Sequence, residues 1–210
     1  MLKYTGISLD PIHDEEELNF IIDGIRGGMC STFSERFFKA NNPMVEGYDP
    51  QKETTYGFYG DANSLYAGTM SMSLPIGGLT WSRASIDEIL STPQDSKTGY
   101  LVEVDLEYPQ HLHNKHFDFP LAPHKMVIRD KHLLPYQLEI KNQLKIKLAP
   151  IPKLVQTFYK KENYIVHYNV LKFYIECGLK ITKFHKALEF KQATFLKLYI
   201  DLNTKKRKAV

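Results

Sequence analysis

Cysteine and long apolar runs are both scarce in this chain. Two cysteines, Cys30 and Cys177, occur among 210 residues, which is too few for a disulfide framework and suits a reducing compartment. No stretch approaches the roughly 18 apolar residues that a membrane-spanning helix requires. Acidic residues at 14–17 occupy the place where a secretory signal peptide would carry its apolar run. We therefore expect neither a disulfide scaffold, nor a transmembrane helix, nor secretion through a signal peptide.

The remaining composition is typical of a folded protein. The chain is 43% hydrophobic, 12% aromatic and 24% charged, which excludes a collagen-like or wholly disordered chain. Its length allows one domain, or two small ones, with a sizeable core.

The net charge of +3 conceals an uneven distribution. Residues 1–140 carry 11 Lys and Arg against 20 Asp and Glu, whereas residues 141–210 carry 16 against 4. Such an asymmetry indicates a polyanionic partner for the basic part. A lysine-rich solvated surface explains the charge equally well, so both interpretations stay open on charge alone.

Helix signals are clearest near the two ends of the chain. Asp14 is a good N-cap for a helix that ends near Gly24, and Thr32 predicts a second helix through a capping-box pattern. The spacing of residues 169–177 predicts a helix that stops at Gly178, and residues 194–208 predict another.

Strand signals lie between these helices. Thr54–Tyr59 is aromatic and β-prone, and residues 99–108 alternate apolar and acidic side chains, as an amphipathic strand does. Residues 64–72 predict a helix or helical turn that Leu74–Gly78 breaks. Residues 179–190 predict either a strand pair or one long strand. The predicted class is α+β.

Other polar residues have ordinary explanations. Residues 109–135 are rich in Pro and His and predict a loop, where a zinc site is the minor alternative because no cysteine is nearby. Glu103, Asp105 and Glu107 are most simply a solvated strand face. His167 and His185 flank apolar residues, which favours hydrogen-bonded core histidines.

Asp61 is the residue whose position suggests chemistry. It follows the predicted strand Thr54–Tyr59 and precedes a predicted helix, so its carboxylate would project from a rigid support beside free backbone groups. Hard oxygen ligands suit Mg²⁺, and Mg²⁺ suits phosphate chemistry. An aspartate before a helix is, however, more often an N-cap, and this alternative stays open at the level of the residues.

A wider pattern surrounds Asp61. The segment Asp61-Ala62-Asn63-Ser64-Leu65-Tyr66 has the form Asp-x-x-Ser-Leu-Tyr, and Met70 and Leu74-Pro75 follow it. This pattern resembles the first polymerase motif of family B DNA polymerases of the protein-primed branch, found in phages, linear plasmids, organelles, viruses and Polinton/Maverick transposons. Upstream, Ile25-Arg26-Gly27-Gly28 is similar to the Tyr-x-Gly-Gly template motif of that branch. Residues 174–201 resemble the return from the terminal-protein insertion into the palm and the start of the fingers. The resemblance covers nearly the whole chain in the family's order.

The resemblance implies a nucleotide site. Asp61 would be the catalytic, metal-binding aspartate, and the carbonyl of Ala62 would bind the same Mg²⁺. The amides of Ser64 and Leu65 would contact the triphosphate. The ring of Tyr66 would pack under the sugar and exclude a 2′-hydroxyl.

The resemblance also implies contacts with DNA and a further cation. Arg26, Gly27 and Gly28 would contact the template, since small residues let the backbone approach and a guanidinium binds phosphate. Arg207 falls near the position at which the fingers supply a cation to the triphosphate.

The chain also departs from the family pattern. Ala67 stands where a proline usually follows Ser-Leu-Tyr, and Ile25 replaces the tyrosine of the template motif. The second carboxylate motif Tyr-x-Asp-Thr-Asp, the fingers motif with Lys and Asn-Ser-x-Tyr-Gly, and the exonuclease carboxylates do not occur. A two-metal mechanism needs carboxylates that hold ions about 4 Å apart, which Asp61 alone cannot supply. We therefore expect these residues to be an inactive fragment.

The implied architecture is a partial polymerase palm, an antiparallel sheet with flanking helices, plus an inserted mixed α/β segment. Residues 1–80 would hold the N-terminal part of the palm with the template and first carboxylate motifs. Residues 81–165 would be the insertion that resembles the terminal-protein region. Residues 166–210 would return to the palm and begin the fingers.

The implied function is DNA-directed DNA polymerase, a nucleotidyltransferase that uses Mg²⁺ to add deoxynucleotides to a DNA 3′ end in replication. The expected partners are DNA template and primer, deoxynucleoside triphosphates and a terminal primer protein, but no membrane. The location would be intracellular: the nucleus for a transposon-derived chain, otherwise a mitochondrion or a virus. The alternatives are a non-catalytic nucleic-acid-binding remnant of a mobile-element polymerase and, outside the family, a nuclease with Glu103 or Asp105 beside Asp61.

Overall fold

The computed structural model describes residues 2–29 and 38–209 and has the predicted α+β class. Its helices are α1 (Leu2–Thr5), α2 (Glu15–Gly24), α3 (Leu65–Met70), α4 (Ile86–Ser91), α5 (Pro135–Gln143), α6 (Tyr168–Glu176) and α7 (Lys197–Lys208). Its strands are β1 (Leu74–Trp81), β2 (Thr98–Glu107), β3 (His124–Met126), β4 (Lys153–Val155), β5 (Lys161–His167) and β6 (Lys180–Ala193). The helix predicted from Thr32 to the stop at Asn41 lies mostly on residues 32–37, outside the described part of the chain, and residues 38–40 are not helical.

Four strands form one antiparallel sheet in the order β1-β6-β2-β5, and β3 pairs with β4 in a separate two-stranded sheet. In the larger sheet Leu101 pairs with Leu188 of β6 on one side and with His167 of β5 on the other. The antiparallel sheet with flanking helices confirms the coarse prediction of the fold.

Both faces of the sheet carry apolar side chains. On one face, Val102 and Val104 of β2 pack with Tyr168 and Leu171 of α6 and with Ile89 of α4 in the main core. Neighbouring residues of a strand point to opposite faces of the sheet. The β2 residues between these valines and before them, such as Leu101, therefore point to the second face.

The second face is covered by α2. Phe20 of α2 packs with Ile165 of β5 and Leu188 of β6, and its ring meets Trp81 edge to face at 5.1 Å between centroids. The predicted N-cap is confirmed, since the Asp14 carboxylate accepts a hydrogen bond from the amide of Glu17 at 2.9 Å. The cap and three acidic residues in the first turn favour the helix locally, and Phe20 fixes it to the sheet.

The C-terminal predictions are also confirmed. Helix α6 ends at Glu176, and Gly178 follows with φ of 103°, a backbone conformation that glycine adopts without steric cost. The segment after it is one long strand, β6, rather than a strand pair. Because β6 is paired with β1 on one side and β2 on the other, it is one of the two inner strands of the sheet, together with β2.

One local prediction is confirmed and extended, and one is wrong. The helical turn predicted within residues 64–72 is present as α3 and ends before Leu74, and Leu74–Gly78 in addition begins β1, in which Gly77 and Gly78 have positive φ and the register with β6 shifts around Gly77. Pairing with β6 therefore outweighs the turn preference of these residues. Residues 109–135 are not all loop, since they contain β3 and two short 3₁₀ turns.

The sheet draws on all three predicted sequence ranges. Strand β2 lies within 81–165 and β6 within 166–210, while β1 and β5 run across the two boundaries. The ranges themselves stay a prediction, but these strands pack into one sheet.

Candidate functional site

The segment that carries Asp61 lies on the surface. The predicted strand Thr54–Tyr59 is not formed; a single bridge joins Asn41 to Thr55. The residues Phe58 and Tyr59 are 94% and 93% exposed. β-prone residues form a strand when a partner strand and an apolar surface receive them, and within residues 2–29 and 38–209 this segment has neither. The expectation that Asp61 projects from the end of a buried strand is therefore wrong.

Asparagines hold the loop before this segment. The side-chain amide of Asn41 donates to the carbonyls of Asp49 and Glu53, each at 3.0 Å, and accepts from the amide of Asp49 at 2.9 Å. Asn42 is buried and donates to the carbonyl of Thr55 at 3.0 Å. Residues 41–55 thus form a closed loop whose last residue leads into the exposed stretch before Asp61.

The residues after Asp61 form a sharp turn into α3. Ser64 has the left-handed backbone conformation (φ 57°, ψ 35°), and its carbonyl accepts the amide of Gly68 at 2.9 Å. Its side chain does not cap the helix. Asp61, Ala62 and Leu65 are exposed, and the ring of Tyr66 is 83% exposed. The segment therefore presents its side chains to solvent.

Of the three residues predicted to contact the template, Arg26 makes contacts within the protein, whereas Gly27 and Gly28 are exposed. The guanidinium of Arg26 lies 3.8 Å from the centroid of the Tyr164 ring, and its Nη1 donates to the carbonyls of Ile165 at 2.6 Å and Gly24 at 3.0 Å. Gly27 and Gly28 are exposed, with open space beside both Cα atoms. The backbone of these glycines can be approached closely, whereas Arg26 is held by α2 and β5.

Arg207 lies in the exposed, basic last turn of α7. Helix α7 contacts α3, which brings the helix of Arg207 against the helix of Tyr66. The aromatic rings of Tyr199 and Tyr4 meet at 6.2 Å, so α7 also packs on α1.

An open groove of about 790 Å³ borders α3. Thr69 and Met72 lie at the end of α3, opposite Val170 and Phe173 of α6, with Thr194 at the start of the segment that leads to α7. The groove places an apolar wall next to the exposed first-motif segment.

Metal donors around Asp61 are few. Among residues 2–29 and 38–209, no three or more His, Cys, Asp or Glu side chains are grouped so that they could hold a metal ion. Mg²⁺ commonly binds through one or two carboxylates plus the phosphates of a substrate. Whether Asp61 and the carbonyl of Ala62 bind Mg²⁺ therefore stays a prediction of the sequence.

Asp105 is a polar site that the sequence interpretation missed. The residue is only 8% exposed, and its carboxylate accepts from Nε2 of His185 at 2.8 Å and from the amide of Asn163 at 3.0 Å. Lys160 lies 3.7 Å away. The His185 and Asn163 hydrogen bonds lower the pKa of Asp105. The expectation that Asp105 belongs to a solvated face is wrong; the lysines and His185 of the paired strand were the available signal.

The histidines of residues 111–132 have separate environments. His116 Nδ1 lies 2.6 Å from the hydroxyl of Tyr108, and the ring of His113 stacks on Phe158 at 4.3 Å. His132 Nδ1 accepts the amide of Arg129 at 3.1 Å. The contacts of His113, His116 and His132 are thus with neighbouring protein groups.

No helix in the described part of the chain is long and apolar enough to cross a membrane.

The comparisons with known proteins give no family. No family model matches the chain, and no curated protein or solved structure matches it.

Proposed function

We propose that the chain is the first-carboxylate part of the palm of a protein-primed family B DNA polymerase, and that it binds a deoxynucleoside triphosphate with Mg²⁺ beside DNA. The observation that carries the proposal is the ordered motif from Asp61 to Tyr66, followed by Met70 and Leu74-Pro75. The exposure of these residues, the left-handed turn at Ser64 and the contact between α3 and α7 support it, because they leave the motif accessible next to a basic helix.

In this proposal each residue of the segment has a distinct role. The Asp61 carboxylate and the Ala62 carbonyl hold the ion that accompanies the triphosphate. The amides of Ser64 and Leu65 face the phosphates, and the Tyr66 ring packs under the sugar. Arg207 supplies positive charge from α7. Mg²⁺ neutralises the triphosphate and, in a complete enzyme, the charge that develops in phosphoryl transfer.

Binding and catalysis separate in this chain. The second carboxylate motif does not occur in the sequence, so primer extension by these 210 residues is expected to fail even when nucleotide binds. Template-dependent extension that is lost in Asp61→Ala would show that the chain is a complete enzyme and would overturn this part of the proposal.

The test is a comparison of nucleotide affinities by calorimetry. We expect dATP with Mg²⁺ to bind more tightly than ATP with Mg²⁺, because the Tyr66 ring leaves no space for a 2′-hydroxyl. Tyr66→Ala should reduce this preference by roughly tenfold, the equivalent of about 1.4 kcal/mol. Asp61→Asn should weaken both nucleotides.

Tyr59→Ala is the matched control, since Tyr59 is an exposed aromatic in the same segment but outside the motif. An equal preference for dATP and ATP in the unmodified chain, or an equal effect of Tyr59→Ala and Tyr66→Ala, would contradict the proposed nucleotide site.

The second candidate is a non-catalytic nucleic-acid-binding module. The basic character of residues 141–210 favours it, because positive charge alone supports sequence-independent binding. It predicts DNA binding that weakens steeply with salt but does not change in Asp61→Asn or on addition of dATP and Mg²⁺. Titration of a labelled oligonucleotide with the unmodified protein and with Asp61→Asn, each with and without dATP and Mg²⁺, distinguishes the two functions.

A further inference from the structure

A cavity of about 240 Å³ lies between the end of α2, strand β3 and the start of β5. Basic groups from all three places line it: Arg26 follows α2, His124 and Lys125 belong to β3, and Lys160 and Lys161 lie at the start of β5. Residues that are far apart in the sequence therefore line one small cavity, and their positions in the sequence did not indicate this.

Lys161 supplies buried positive charge to this cavity. Its residue surface is only 3% exposed, and its Nζ donates to the Thr157 carbonyl at 2.9 Å, the Thr157 hydroxyl at 3.2 Å and the Tyr159 carbonyl at 2.5 Å. All three acceptors are uncharged. No ion pair joins Lys161 to a carboxylate in the described part of the chain. Burial lowers its pKa to about 8, so the ammonium remains predominantly charged near neutral pH.

Arg26 adds a second, fixed cation. Its guanidinium lies on the Tyr164 ring, with Nη1 bound to the carbonyls of Ile165 and Gly24. These contacts hold the group in place without neutralising it, because none involves a carboxylate. A cation held in this manner loses little conformational freedom when an anion binds.

His124 shows that these charges share one environment. Burial lowers the pKa of its imidazole, and the positive charges of Lys161 and Arg26 lower it further. Its Nδ1 atom is buried and has no hydrogen-bond partner within the described residues. A buried nitrogen without a partner is destabilising, and an anion seated against the ring would supply the missing hydrogen bond by accepting one from Nδ1 of the neutral imidazole.

The acidic residues at the cavity are fewer than the cations. Glu162 pairs with Lys160 at 3.5 Å, and Asp23 is exposed at the end of α2. Lys160 also lies 3.7 Å from Asp105, whose carboxylate is engaged by His185. These contacts compensate Lys160, whereas no carboxylate of the described residues pairs with Lys161 or Arg26.

We propose that this cavity binds a phosphate group through the positive charges of Arg26, Lys125 and Lys161 and the imidazole of His124. The shared chemistry is a tetrahedral phosphate, whether as free inorganic phosphate or as one phosphate of a nucleic-acid backbone. The cavity is distinct from the proposed nucleotide site around Asp61, and phosphate binding there can be measured whether or not that site binds nucleotide.

The experiment titrates the protein with inorganic phosphate at constant ionic strength and follows the imidazole resonances by NMR, with His124→Gln to assign the His124 signal. We expect saturable binding that shifts the His124 resonance. Lys161→Met should weaken binding about tenfold or more and Lys125→Gln roughly threefold, because each removes a charge from the cavity wall. Lys125 is exposed, so its variant is expected to fold even if Lys161→Met does not.

Lys147→Gln is the matched control, an exposed lysine that does not line the cavity. Absence of saturable binding would overturn the proposal, as would equal losses in Lys147→Gln and Lys125→Gln, which would indicate diffuse surface charge. The same variants titrated with a short single-stranded oligonucleotide identify the source. If Lys125→Gln and Lys161→Met weaken oligonucleotide binding as much as they weaken phosphate binding, the cavity binds a backbone phosphate. If they weaken only the binding of inorganic phosphate, the cavity binds free phosphate.

Discussion

The four-stranded sheet and the segment 56–66 use their apolar and aromatic side chains in opposite ways. In the sheet, Val102, Val104 and Leu188 are buried against helices on both faces. In the segment, Phe58 and Tyr59 are almost fully exposed, and Tyr66 is exposed beside them. The residues that resemble a catalytic motif therefore lie outside the core, on a surface whose side chains can meet a ligand. Stability and proposed chemistry are carried by different parts of the chain.

The largest effect expected from this difference is on stability. Leu171 of α6 is fully buried under the sheet, so Leu171→Ala should reduce the free energy of unfolding by about 2–5 kcal/mol through lost transfer energy and a residual cavity. Phe58→Ala removes a larger side chain from the exposed segment and should change the same quantity by about 0.5 kcal/mol or less. Urea denaturation measures both. Comparable losses of the free energy of unfolding would show that segment 56–66 is packed in solution and would contradict the difference between the sheet and this segment.

A second prediction concerns a charge buried at the edge of the sheet. The pKa of Lys161 is lowered to about 8, below its ordinary value, so the folded state resists protonation there more than the unfolded state. Between about pH 8 and 10.5 the unfolded chain binds more protons at this residue, and its contribution to stability rises with pH. Relative to Lys161→Met, the protein should gain roughly 3 kcal/mol across this window.

The measurement is urea denaturation of both chains at several pH values across that window, with Lys147→Gln as the control for an exposed lysine. A constant difference between the unmodified chain and Lys161→Met would mean that Lys161 titrates normally and is not buried as described.

The smallest effect concerns how the exposed segment is anchored. Asn41 joins Asp49 and Glu53 through its side chain, so Asn41→Ala should cost about 1 kcal/mol and loosen residues 49–55. Amide hydrogen exchange should show faster exchange there and unchanged exchange in β2 and β6. Asn63→Ala, at an exposed asparagine within the motif, should alter neither. Faster exchange throughout the sheet would show that the loop and the sheet unfold together.

The sequence predicted those elements whose signals are local. The Asp14 cap, the Gly178 stop and strand β2 each depend on a few neighbouring residues, and each is present, although burial of Asp105 interrupts the alternation of β2. The segment Thr54–Tyr59 has similar local signals, but it forms no strand and has no partner strand among the described residues. The candidate site was predictable as a motif from Asp61 to Tyr66, whereas the Asp105–His185 pair and the Lys161 cavity were not, since their members are far apart in sequence.

The sequence alone was enough to predict the class of the fold, helices α2, α6 and α7, strands β2 and β6, and the motif on which the proposed polymerase function depends, because cap chemistry, periodicity and residue spacing act over short distances. Tertiary structure alone decided that β6 lies between β1 and β2, that Asp105 is buried beside His185, and that Arg26, His124 and Lys161 share one cavity. These features require chain segments to meet across the sheet, and the free energy of that meeting comes from burying apolar faces rather than from any local pattern.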